Sequence, residues 1–98
     1  MKKEKILTEL ESVAEKLDIK VRHEKGDFAG GYCTKDEENL ILLNKRHMID
    51  RKINVLAREL AKCDLAGMEI SKPVLGIIES ERKRASQIEL EEISDSED

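Results

Sequence analysis

Apolar residues fall at Ile49, Ile53, Leu56, Ala57, Leu60 and Cys63. That is the period of a helix with one broad buried stripe. It constrains the chain more than any other feature, because every other element must help to cover this stripe. Asp50 is placed to cap the start, and Gly67 follows the end. The spacing therefore predicts a central helix over Ile49–Asp64. Each Ile or Leu buried there contributes roughly 1.5–3 kcal/mol before chain entropy is subtracted. At about 100° per residue, Arg58 and Lys62 point away from the stripe and Glu59 lies on its flank. The fold does not need positions 58 and 62 to be basic.

The remaining elements can be read around that helix. Ile6, Leu7, Leu10, Val13, Ala14 and Leu17 recur at helical spacing from about Lys3 to Leu17, with charges on the opposite face. This predicts an amphipathic helix packed on the domain's own sheet. Ile19, Val21 and His23 alternate with Lys20, Arg22 and Glu24, as in a half-buried strand. His23 falls on the apolar side as a packed or capping side chain. Gly26-Asp27-Phe28-Ala29-Gly30-Gly31 lacks both the dinucleotide fingerprint and the phosphate-loop ending. Its glycines supply backbone freedom, and Phe28 can fold back as an anchor.

Gly31–Thr34 and Leu40–Leu43 read as two strands joined by a polar turn. The second is apolar without alternation and belongs at the centre of the sheet. The first is poorer in apolar residues and belongs at an edge, where an extended peptide can add. Ser71 is placed to cap a third helix, with Pro73 in its first turn and Val74, Leu75, Ile77 and Ile78 to bury. Its apolar signal thins after Ser80, and fraying is expected in the Ala85–Ile93 region.

The expected fold is α+β in the order α-β-β-β-α-α. A three-stranded, mostly antiparallel sheet is covered by the N-terminal and central helices, with the third helix behind. Residues 1–88 form a single small domain and residues 89–98 an acidic disordered tail. The chain's net charge is −4, but that tail holds six acids and no base, so the body carries about +2. A body so close to neutral gives no electrostatic footprint for nucleic acid. No apolar run is long enough for a membrane span, and the basic start leads into an amphipathic helix rather than a secretory core. A cytoplasmic location is expected, with Cys33 and Cys63 as free thiols.

The stretch Asn54-Val55-Leu56-Ala57-Arg58-Glu59-Leu60-Ala61-Lys62 resembles the site helix of ImmA/IrrE-type metallopeptidases and other zincins. Those helices carry an apolar run, Ala, and then H-E-x-x-H, in which two imidazoles one turn apart hold zinc and the Glu is the base. Here Arg58 and Lys62 stand at the ligand positions, and only Glu59 matches. Arginine stays charged and has no lone pair to give. Gly26-Asp27-Phe28, Gly30-Gly31, Asn44-Lys45-Arg46 and Ala57-Arg58-Glu59-Leu60-Ala61 also resemble a small, uncharacterised bacterial family. That resemblance implies the same fold and no assigned activity.

Together these resemblances imply a zincin-like minidomain without a catalytic set, metal or cofactor. It would serve as a non-catalytic binding or regulatory module. Its partner would be a protein or peptide, met at a sheet edge or at a basic patch of Arg58, Lys62, Lys45 and Arg46 beside Glu59. Two alternatives stay open: oligomerisation through the third helix, and a residual hydrolase using Glu59 as base.

Overall fold

The computed structural model describes the backbone of residues 1–96 and the side chains of residues 1–87. Its elements are α1 (Lys3–Lys16), β1 (Lys20–Glu24), β2 (Gly31–Lys35), β3 (Glu38–Asn44), α2 (Ile49–Leu60) and α3 (Lys72–Ser96). This is the α+β class and element order that the sequence predicts. The backbone of α3 is helical past the stretch where fraying is expected. The side chains of the expected acidic tail, and residues 97–98 entirely, lie outside the described residues.

The sheet corrects one expectation. Its order is β1-β3-β2, and where a mostly antiparallel sheet is expected it is mixed, with one of its two pairings parallel. β2 and β3 form a hairpin, but β1 runs parallel to β3, from Lys20 beside Leu40 to Glu24 beside Asn44. Residues 25–30 carry the chain past β3 to its far side, so β1 and β2 never pair. Alternation of side chains reveals a strand but not its neighbour. The apolar run of β3 holds the centre, as its composition requires, with Leu40, Ile41 and Leu43 all buried.

Leu10, Val13 and Ala14 of α1 meet Ile41 and Leu43 of β3 and Ile53, Leu56, Ala57 and Leu60 of α2 in one core. Val74 and Ile78 of α3 complete it. Among the described residues α3 touches α1 and α2 but no strand, so it packs as a third layer behind the two helices. α1 closes on Asp18, whose φ of +62° lets the Ile19 amide donate to the Ala14 carbonyl at 2.9 Å.

Three local expectations also change. α2 ends at Leu60 rather than Asp64; the Lys62 amide donates to the Glu59 carbonyl at 3.2 Å and the Cys63 amide to Leu60 at 3.0 Å, the tighter i−3 pattern. Asp50 does not cap α2. It lies inside the first turn and reaches Lys3 of α1 at 2.9 Å instead. The Ser71 hydroxyl is buried without a partner, and the carboxylate of Glu9 accepts the Ser71 amide at 2.7 Å. At the start of α3 a carboxylate of α1 thus accepts a backbone amide, while α2 starts after Met48 with no side-chain cap.

Candidate functional site

An open cleft of about 880 Å³ lies between the start of β2 and the outer face of α2. Its strand side is Ala29, Gly30 and Gly31. Gly30 has a φ of +88°, and a Cβ there would stand 2.8 Å from the Leu42 carbonyl oxygen and 3.5 Å from the Val55 side chain. Only glycine brings the chain this close to both β3 and α2. Asn44, buried at the end of β3, fixes the loops on either side. Its Nδ2 donates to the carbonyls of Gly26 at 2.7 Å and Phe28 at 2.9 Å, and its Oδ1 accepts the Arg46 amide at 3.0 Å.

The helix side presents Arg51, Asn54, Val55, Arg58, Glu59 and Lys62, with Arg46, His47 and Asp50 at one end. Of the five residues expected to form a patch, Arg46, Arg58, Glu59 and Lys62 therefore share one cleft. Lys45 does not line it. Its side chain is exposed, and its amide donates to the Glu24 carbonyl at 2.8 Å. Arg51 is the residue that the sequence reading missed. It precedes Arg58 by two helical turns, and Lys62 follows one turn later, so the three share a face.

Each cation at the positions compared with zinc ligands has a carboxylate near it, and Lys62 hydrogen-bonds its own. Lys62 Nζ donates to both oxygens of the buried Glu59, at 3.1 and 3.0 Å. Arg58 Nε lies 4.0 Å from an oxygen of Glu81 on α3, which is buried and also 3.6 Å from Arg84. At the cleft mouth Arg46 stands 3.5 Å from the exposed Asp27. Arg51 makes no ion pair among the described residues. Four cations thus face two acids, and both acids, Asp50 and Glu59, already have a lysine partner. The cleft is suited to an anionic or hydrogen-bonding ligand.

Burial lowers the pKa of His47, and the charges of Arg51 and Lys52 add to the effect. Burial raises the thiol pKa of Cys63, with a further push from the Glu59 carboxylate. The thiol lies 3.7 Å from the Glu59 carbonyl oxygen. Both cysteines are free. The other histidine, His23, is remote from the cleft and pairs with Glu11 of α1 at 2.9 Å. Among the described residues no three His, Cys, Asp or Glu side chains converge as a metal-binding group. No helix among them is long and apolar enough to cross a membrane.

Compared with known protein families, curated proteins and solved structures, the chain matches none.

Proposed function

We propose that this protein is a non-catalytic binding module that takes an extended acidic segment of another protein along the free edge of β2. The carrying observation is the cleft in which that edge meets the cations Arg46, Arg51, Arg58 and Lys62. β2 is the last strand of the sheet on that side, so its outer backbone groups are available to a further strand. The cations on α2 stand where an acidic side chain of such a strand would need a partner.

The engagement of Glu59 also supports a binding role over a hydrolytic one. A general base must be free to take a proton from water, and Lys62 holds both of its oxygens. On α3, Leu75 is the single exposed large apolar residue among those described.

The test is titration of ¹⁵N-labelled protein with an acidic, β-forming octapeptide. Shift changes concentrated at Gly30, Gly31, Tyr32 and the outer face of α2, and abolished in Arg51→Glu/Lys62→Glu, are expected. Shifts that survive that double variant would remove the cleft as the site. Metal analysis of the purified protein provides an independent check. Stoichiometric zinc in the purified protein, together with a hydrolytic activity lost on Glu59→Ala, would restore the peptidase reading.

A further inference from the structure

The cleft does not end at Lys62. A second, smaller cavity of about 350 Å³, mostly apolar, opens on the far side of Glu59 and Lys62. Leu17, Ile19, Tyr32 and Cys63 supply its apolar wall. Two binding spaces of opposite character therefore lie in sequence along β2: a basic one beside Gly30 and Gly31, and an apolar one beside Tyr32, with the Glu59–Lys62 pair as the divider.

The strand register fixes how a partner would meet them. Asp36 and Glu37 have φ of +51° and +67°, as in a two-residue type I′ hairpin turn. Lys35 and Glu38 are then a hydrogen-bonded pair. Alternation makes Tyr32 and Ile41 a non-bonded pair, and likewise Thr34 and Asn39. The N–H and C=O of Tyr32 and Thr34 thus point away from β3, toward the free edge. Tyr32 also shares the helix-facing side of the sheet with its partner Ile41, which is in the core. A residue placed opposite Tyr32 on an added strand would point to that same side, next to the apolar cavity. The residue two positions away, about 7 Å along the added strand, would point to the same side at the level of Gly30, just before β2, where the cleft also holds Arg51 and Arg58.

From this we infer that the module selects an extended peptide with one acidic and one large aliphatic side chain two positions apart. The inference rests on the binding role proposed above and specifies the partner's side chains. Spacing is the discriminating feature. At i and i+1 the two groups would face opposite sides of the sheet, and only one could be satisfied.

Four capped octapeptides on a Thr-rich backbone test it by fluorescence anisotropy. One carries Glu and Leu two apart, the second carries them adjacent, the third has Leu replaced by Ser, and the fourth has Glu replaced by Gln. Each is made in both chain directions. The first is expected to bind about tenfold or more tighter than the second and third, as burial of one aliphatic side chain implies. Tyr32→Ala should erase the preference for Leu while leaving the preference for Glu. Equal binding of the first three peptides, all weakened by Glu→Gln, would overturn the spacing rule and leave the acidic-segment reading standing. Binding of none of the four would overturn both. Unchanged Leu preference in Tyr32→Ala would place the aliphatic group elsewhere and overturn the assignment of the smaller cavity.

Discussion

Arg58 of α2 and Glu81 of α3 are joined across the helix layer, Nε to carboxylate oxygen at 4.0 Å, with the arginine half exposed and the glutamate only 5% exposed. One oxygen of Glu81 has no hydrogen-bond partner. Loss of Arg58 would leave that buried carboxylate with Arg84 alone, 3.6 Å away. Arg58→Met is expected to cost about 1–2 kcal/mol, after allowance for screening at the exposed guanidinium. The double variant Arg58→Met/Glu81→Met should recover that loss, because the uncompensated charge goes with it. Urea melts of the two variants and the parent decide. A double variant less stable than the single would show that the pair stabilises in its own right.

Asn44 is the tie between both loops that border the cleft. Its three hydrogen bonds are made while it is 3% exposed. Asn44→Ala should destabilise by about 2–3 kcal/mol, since it strands two carbonyls and one amide. It should also accelerate hydrogen exchange at the Arg46 amide more than at core positions of β3 such as Ile41. Equal acceleration along the whole strand would mean global unfolding rather than loop release.

Cys63 should be a slow nucleophile. Burial and the neighbouring Glu59 both hold its thiol above the ordinary value, which depletes the thiolate that reacts. In a Cys33→Ser background, alkylation by iodoacetamide at pH 8 should be slower than that of free glutathione. Glu59→Gln should speed it. A rate insensitive to Glu59→Gln would leave burial as the whole cause.

His47 titrates below the ordinary histidine value. As pH falls, the unfolded chain takes up its proton first, near about 6.5, and the folded protein only later. The contribution to stability is therefore complete above about pH 6.5 and is lost as pH drops toward the folded value. Proton NMR should show the depressed titration, and Arg51→Glu should move it upward. A titration at or above the ordinary value would contradict the stated causes.

The β2–β3 turn places two residues with side chains, Asp36 and Glu37, at positive φ. Asp36→Asn/Glu37→Gly supplies the pair that a type I′ turn favours. It should stabilise the fold by about 1 kcal/mol, or several degrees in melting temperature for a domain this small. An unchanged melting temperature would mean that the turn carries no strain.

Periodicity was enough to read the element types, the core stripe of α2 and the central place of β3. It was not enough for β1, because an alternating strand looks the same whether it pairs parallel or antiparallel. Helix starts were misread where a distant side chain engaged the expected cap, as Lys3 pairs with Asp50 inside the first turn of α2 and Glu9 accepts the Ser71 amide. At the site, Arg46, Arg58, Glu59 and Lys62 were legible because a motif comparison drew attention to them. Arg51 was legible only from its spacing, and Lys45 was grouped by chain proximity alone. The apolar cavity was not legible at all. It is built from the end of α1, from β2 and from the turn after α2, which are far apart in sequence.

The β1-β3-β2 order bears on how the molecule is made. A nascent chain emerging from a ribosome would present β1 well before β3, the strand that pairs with it, exists. β2 offers no substitute, since the two never touch. The hairpin can close locally as soon as its second arm is free, and only then does β1 gain a seat. Release of the growing polypeptide from any early-binding chaperone should therefore not precede the appearance of residues 38–44, however early the first two strands emerge.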